Sequence, residues 1–284
     1  MAILYKTAKN TPVLLAANRE ERFDRPTQPP KIQSGKPRSV CGIDRKAGGT
    51  WLGVNQHGML AAVTNRRKTS VPADPRSRGL LCRELLNRGS AKEAAEYAAA
   101  ELATGAYAGA NYVCADDRYG AVVYGGNQIE IVELSPGLHL LTNGNLDDAN
   151  DERQEFIRRM LTLHTLDSGV TFLAVASRAF SRKPDVAGRR GVVLTGGEYG
   201  TVSSTLLSLP DRIQRAVYQY APGPPSDHSY DDYSALLRQV LSTDKSKRAK
   251  MAEEEDEFDE LDDDWEEMDE AGEADLDSGK KKRK

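Results

Sequence analysis

The sequence predicts an α+β layered domain over residues 1–243, followed by a disordered acidic tail over residues 244–284, on three observations. Apolar runs of strand length alternate with helix-length stretches that come in pairs. Gly, Pro and Asn punctuate those runs, as in a packed domain of many short elements. Beyond residue 243 the apolar spacing stops, and 17 Asp and Glu crowd residues 253–277. A segment with so little to bury cannot offset its ordering entropy.

Taken in order, Ala2 to Tyr5 and Pro12 to Ala17 read as strands, the second apolar enough to be buried on both faces, with a hairpin around Lys9-Asn10. A polar, Pro-rich passage runs from Asp24 to Gly49. Strands at Thr50 to Val54 and Met59 to Val63 flank a turn at Asn55-Gln56-His57-Gly58. Helices fit Ser77 to Asn87 and Ala91 to Ala103, the second with Ser90 as N-cap and Glu93 three residues on. Four strands follow at Tyr112 to Ala115, Ala121 to Tyr124, Ile129 to Leu134 and Leu138 to Thr142. A helix over Asp151 to Leu163 takes Asn150 as its cap, and another fits Val170 to Phe180. The last strands are Gly191 to Thr195, Val202 to Leu209 and Ala216 to Tyr220, before a helix from Tyr230 to Leu241.

Charge divides along the same boundary. The tail has 9 Lys and Arg against 18 Asp and Glu, a charge of −9, and the remaining 30 against 25 leave the domain at +5. The domain's cations are interspersed with acids, which argues against nucleic acid as a partner. The acidic run offers a docking segment to a basic protein partner, and Lys280 to Lys284 resembles a basic localisation patch neutralised by its neighbours. No stretch reaches the length of a membrane span and the N-terminus lacks a signal-peptide pattern, so a cytoplasmic location is expected. Cys41, Cys82 and Cys114 are widely spaced and expected to be reduced and inert. The four histidines form no metal-ligand spacing, and neither metal nor cofactor is expected.

Three places gather polar residues at strand ends. Asn18-Arg19-Glu20-Glu21 stands after the buried strand, Thr64-Asn65-Arg66-Arg67 after the strand at Met59, and Thr142-Asn143-Gly144-Asn145 after the strand at Leu138. An Asn at a strand end often serves only a turn. Its recurrence beside an Arg-acid cluster points to a site. Arg66-Arg67-Lys68-Thr69-Ser70 is the best cationic cluster for an anionic ligand. No nucleophile elbow, Walker loop or complete dinucleotide fingerprint occurs, and Ser203-Ser204 reads as structural.

These residues resemble the NRDE family, also called the transport and Golgi organisation protein 2 family, named for an Asn-Arg-Asp-Glu motif. The resemblance runs over residues 1–241 through Ala17-Asn18-Arg19-Glu20-Glu21, Gly48-Gly49-Thr50-Trp51-Leu52-Gly53, Ala62-Val63-Thr64-Asn65, Arg76-Ser77-Arg78-Gly79 and Thr142-Asn143. It implies a four-layer αββα sandwich of the N-terminal-nucleophile hydrolase type, with the initiator Met removed to expose a cysteine whose own α-amine is the base. It further implies Arg19 beside the nucleophile, with Asn65 and Asn143 as oxyanion donors. Asn18, Glu20, Glu21 and Asp24 are the implied supporting residues, and Trp51, Arg66, Arg67 and Arg78 the implied ligand-binding ones. The chain departs from the pattern at Glu20, where the motif has aspartate, and at Ala2, where it has cysteine. A methyl group cannot attack a carbonyl. The implied function is binding of a small acylated or apolar-anionic ligand, of the acyl-coenzyme A, lipid or haem class, in a catalytically silent cleft. The alternative is an N-terminal-cysteine amide hydrolase whose nucleophile has been replaced.

Overall fold

The central strands are buried on both faces, and the different neighbours that each face meets explain how the layers stack. The computed structural model describes residues 1–185 and 191–244. In chain order the strands are β1 (Ala2–Ala8), β2 (Thr11–Arg22), β3 (Thr27–Gln33), β4 (Ser39–Asp44), β5 (Leu52–Asn55) and β6 (Leu60–Asn65). Helices α1 (Arg78–Leu85) and α2 (Ala91–Ala103) follow, then β7 (Ala110–Ala115), β8 (Gly120–Gly125), β9 (Ile129–Glu133) and β10 (Gly137–Leu140). After α3 (Glu152–Thr162) and α4 (Gly169–Phe180) come β11 (Tyr199–Leu209), β12 (Val217–Ala221), β13 (Asp231–Asp232) and α5 (Ser234–Leu241).

One sheet has the order β10-β1-β2-β11-β12-β13, the other β3-β4-β5-β6-β7-β8-β9, and every pairing is antiparallel. On the first sheet Ala2, Leu4, Leu14, Ala16 and Leu206 pack with Ile157, Leu161, Phe172 and Ala176 of α3 and α4. On the second, Cys41, Ala61, Tyr112, Cys114 and Val123 pack with Leu81, Leu85, Ala94 and Ala98 of α1 and α2. Residues of the opposite parity, such as Ile3, Leu15, Val54, Leu60, Val113 and Val122, are equally buried and form the space between the sheets. A Cβ added at Gly120 in β8 would lie 3.0 Å from the Tyr5 ring of β1, so the two inner faces meet. The result is the four-layer αββα sandwich that the family resemblance implies.

The hairpin at Lys9-Asn10 is present, with Asn10 at φ 53°, a conformation that Asn tolerates. Ser90 caps α2 by accepting from the Glu93 N–H at 3.2 Å, while the Glu93 carboxylate accepts from Gly89 N–H rather than from Ser90. Five expectations are corrected. The passage from Asp24 to Gly49 contains β3 and β4; β3 is an edge strand carrying Pro29 and Pro30 beside a register shift, where missing N–H donors cost least. Asn18 to Glu21 lie within β2, because β11 continues to pair with it as far as Arg22. The cap of α3 is Asp151 rather than Asn150, since its carboxylate accepts from the N–H groups of Arg153 and Gln154. Residues Gly191 to Thr195 form no strand. Helix α5 begins at Ser234, since Asp231 and Asp232 pair with β12 instead.

Cys41, Cys82 and Cys114 are free and buried in one core cluster. Burial pushes the Cys41 thiol up to about 11 and the Cys114 thiol to about 12, which keeps both protonated at neutral pH. No helix among the described residues is long and apolar enough to cross a membrane. The expected acidic tail lies outside the described residues apart from Asp244.

Candidate functional site

At the end of the sandwich where β1 begins, the two sheets part around a cavity of about 1040 Å3. Its walls come from the end of β2, the end of β6, the segment after β10 and the first turns of α1 and α3. Seven arginines and five carboxylates line it, together with an apolar group that includes Ala17, Leu141, Ile157, Phe180 and Val192.

The N-terminus is built into this wall. Met1 lines the cavity and exchanges both backbone hydrogen bonds with Leu141: its amine donates to the Leu141 carbonyl at 2.9 Å and its carbonyl accepts from the Leu141 N–H at 3.0 Å. Burial, and then the charge of Arg153, push the Met1 amine down to about 5, against the opposing pull of Glu20 and Asp151. Ala2 sits one residue further in, paired with Ala16 and Leu140, fully buried in the cluster beneath α3 and α4. It is not among the cavity-lining residues.

Arg19, on β2, stacks its guanidinium 4.4 Å from the centroid of the Trp51 ring and approaches Glu21 at 3.8 Å. Its side chain is only 10% exposed, and burial lowers its pKa from the ordinary value. Trp51 is held from behind by Gly42 of β4, where a Cβ would lie 2.4 Å from the ring. Glu21 is shared with Arg25, whose guanidinium also makes two hydrogen bonds to Asp44, at 3.2 and 2.5 Å. Against burial, which would raise it, the Arg25 bond holds the Asp44 carboxyl below its ordinary range. Glu20 takes Arg153 of α3 as its partner, and the same guanidinium donates to the Val192 carbonyl. Asp24 lies outside the cavity and pairs with Arg22.

The two Thr-Asn corners meet across the sheets. The Thr64 hydroxyl donates to the Thr142 carbonyl at 2.9 Å, and the buried Asn111 amide of β7 donates to Thr64, Thr142 and Gly144. Asn65 and Asn143 both line the cavity, exposed, with no side-chain partner among the described residues. Arg66 is committed elsewhere: it donates to Asn111, the Gly144 carbonyl and Asn145, and stacks over Tyr124 at 4.2 Å. Arg78, in the first turn of α1, donates to the Gly109 carbonyl at 3.0 Å. Arg67 is exposed at the cavity with no partner among the described residues. None of Arg66, Arg67 and Arg78 has a carboxylate partner there, whereas Arg19, Arg25, Arg76 and Arg153 all do.

The structure thus gathers Asn18, Arg19, Glu20, Glu21, Trp51, Asn65, Arg66, Arg67, Arg78 and Asn143 around one cavity and leaves Asp24 and the Ala2 side chain outside its lining. Sequence reasoning missed Arg153, Asp151 and Asp44. Asp151 lines the cavity and accepts from the Thr142 hydroxyl at 2.5 Å. The helix start at Asp151 was readable, and acids concentrate in first turns, but nothing local pointed that turn at the end of β1.

Four layers around a cleft where two sheets part define the class: an αββα sandwich protein with a cavity at the open end of the sheets. The chain belongs to the Transport and Golgi organisation 2 family, whose model matches residues 1–218. It is 30% identical over 227 residues to the Transport and Golgi organization protein 2 homolog of Bos taurus, covering 69% of this chain and 81% of the bovine one. The Mus musculus homolog is 33% identical over 144 residues, 48% of this chain and 51% of the mouse one. Among solved structures, penicillin V acylase from Agrobacterium tumefaciens aligns over 83% of this chain and 87% of its own, at 16% identity and a TM-score of 0.46. A Caenorhabditis elegans ortholog of N-acylethanolamine-hydrolyzing acid amidase aligns over 72% and 91%, at 14% identity and 0.48.

Proposed function

We propose that the cavity binds a small ligand that joins an apolar, acyl-type body to an anionic group, of the acyl-coenzyme A, lipid or haem class, and that this form of the protein does not turn it over. One observation carries the reading: the cavity combines an apolar wall at Ile157, Phe180 and Val192 with Arg67 and Arg78, which no carboxylate neutralises among the described residues. An anion there gains charge-assisted hydrogen bonds without first breaking an ion pair. The apolar body would lie along the opposite wall. The absence of turnover follows from Ala2, which offers no nucleophile. Calorimetric titration of the full chain with decanoyl-coenzyme A, decanoate and haemin tests the reading. At least one is expected to bind, and Arg67→Ala with Arg78→Ala should weaken it about tenfold or more. Failure of all three to bind, or binding indifferent to both arginines, contradicts it.

The second reading is an amide hydrolase whose nucleophile at position 2 has been replaced. It is favoured by the place of Met1 in the cavity wall, since loss of Met1 would leave the α-amine of residue 2 next to the cavity, as a base for a side chain at that position. The Asn65 and Asn143 amides at the cavity would supply donors to a tetrahedral oxyanion. Acyl release from amides and thioesters by Ala2→Cys, after loss of Met1 is verified by intact mass, is its test. An inert cysteine variant removes it.

The proposal extends to residues 244–284, read as a separate segment whose charge of −9 fits a basic protein partner, and to a cytoplasmic location. Pull-downs with and without that segment, and cell fractionation, test these two points.

A further inference from the structure

We propose that Ser70 is a phosphorylation site for a serine kinase that reads basic residues ahead of its target, and that the phosphate weakens binding of an anionic ligand in the cavity. The second part rests on the ligand-binding reading above; the first does not. An arginine stands three residues before a serine or threonine four times in the chain: Arg66 before Thr69, Arg67 before Ser70, Arg159 before Thr162 and Arg178 before Ser181. A kinase of this class selects by charge pattern, pairing its own acids with such an arginine, and takes its target as extended chain with a free hydroxyl. The Thr162 and Ser181 hydroxyls donate to the Arg158 and Arg178 carbonyls at the ends of α3 and α4, at 2.9 and 3.1 Å. The Thr69 hydroxyl donates to Asn127 at 2.9 Å, and its arginine, Arg66, is held by Asn111, Gly144 and Asn145. Ser70 differs from all three. It is exposed with no hydrogen-bond partner among the described residues, and so is the Arg67 that precedes it.

Ser70 lies within residues 66–75, which form neither helix nor strand. The loop is fastened where the Arg66 N–H donates to the Gly109 carbonyl, where the Thr69 N–H donates to Asn127, and where the Arg76 N–H donates to the Ala106 carbonyl. Val71, the next residue, is 48% exposed, so the serine is followed by an open apolar side chain as well as preceded by cations. In the transfer the Ser70 oxygen attacks the γ-phosphorus of ATP, the bond to ADP breaks, and the hydroxyl proton passes to the kinase's aspartate. The phosphoserine then carries a charge of about −1.5 to −2 and three acceptor oxygens. The Cα atoms of residues 67 and 70 are at most about 11 Å apart, within reach of the long Arg67 side chain. Pairing with the phosphate turns Arg67 away from the cavity, which it lines, and leaves Arg78 alone to meet the ligand's anion.

The test incubates the folded full chain with ATP and the catalytic subunit of cyclic-AMP-dependent protein kinase, and locates the phosphate by tandem mass spectrometry. Ser70 is expected to take it up, and Ser70→Ala to incorporate about tenfold less in the same time. The phosphorylated and unmodified chains are then titrated calorimetrically with decanoate, decanoyl-coenzyme A and haemin. Whichever of these binds the unmodified chain should bind the phosphorylated one about tenfold more weakly, and Ser70→Ala incubated with the kinase should keep the unmodified affinity. No phosphate on Ser70, or phosphate on Thr69, Thr162 or Ser181 in its place, overturns the site. Phosphate on Ser70 with unchanged affinity overturns its effect on the cavity while leaving the ligand-binding reading intact. If none of the three ligands binds the unmodified chain, that reading falls and the effect on the cavity falls with it, and the mass spectrum alone decides the site.

Discussion

Arg19 keeps a charge in a nearly buried place because the Trp51 face and the carboxylates of Glu21 and Asp44 favour it, against the like charge of Arg25. The Trp51 face lies under its guanidinium, Glu21 lies at 3.8 Å, and Glu21 is in turn held by Arg25. Trp51 can lie flat there only because residue 42 has no side chain. Gly42→Ala should therefore push the indole out, costing about 1 to 3 kcal/mol and shifting tryptophan emission; an unchanged denaturation midpoint and emission would contradict this packing. The Met1 amine gives a second residue-scale prediction. In a chain that retains Met1, it should titrate near 5, seen by NMR of a 13C-methylated N-terminus. A midpoint near its ordinary value of about 8 would mean that the amine faces water. Because its folded pKa is depressed, protonation on acidification from pH 8 towards 5 should cost stability progressively, as the unfolded chain binds that proton first.

At the scale of elements, the segment after β10 is clamped at its base. His139 of β10 is buried, with one ring nitrogen 2.7 Å from the Asp147 carboxylate and the other 2.7 Å from the Ser135 carbonyl. Two acceptors on two ring nitrogens call for the imidazolium. The Asp147 bond, working against burial and with help from the Ser135 carbonyl, raises the His139 pKa above its ordinary value. Asp147 also accepts from the Leu140 N–H at 2.8 Å and from Arg158 of α3 at 2.5 Å, and its pKa is lowered despite burial. The signs are definite. The His139 contribution is complete below its unfolded pKa of about 6.5 and is lost as pH rises through the higher folded value. The Asp147 contribution is present above about 3.9 and is lost as pH falls through its lower folded value. In thermal melts the unmodified chain should thus lose stability relative to His139→Gln as pH rises from about 6.5; a difference between the two that does not change with pH would contradict this role. Asp151 anchors the other end of this segment by capping α3 and accepting from Thr142. Asp151→Ala should cost about 1 to 2 kcal/mol in chemical denaturation, and no loss would show that the cap is dispensable.

At the scale of the whole molecule, what was legible in the sequence is what local chemistry dictates. The hairpin at Asn10, the Ser90 cap of α2 and the buried stretch Val13 to Ala17 of β2 all follow from residue type and periodicity over a few positions. Strand β3 was not legible, since Pro29 and Pro30 read as a break and only its edge position makes them tolerable. The site was legible in its parts, as polar triplets at strand ends beside Trp51 and Arg78, but not in its assembly. Thr64 and Thr142 stand 78 residues apart, and only the stacking of two sheets brings their corners together. For the same reason Arg66 reads in sequence as a free cation, while in the fold Asn111, Gly144 and Asn145 occupy its guanidinium. Arg153 reaches Glu20 only because α3 lies across the end of the first sheet.

The central claim is that one cavity holds a ligand with its anionic end at Arg67 and Arg78 and its apolar end towards Ile157 and Phe180. A crystal structure of the full chain soaked with decanoate tests it most directly. The account predicts the carboxylate within hydrogen-bond distance of those arginines and the acyl chain along the apolar wall. A ligand bound with the opposite polarity, or at any surface outside this cavity, would contradict it.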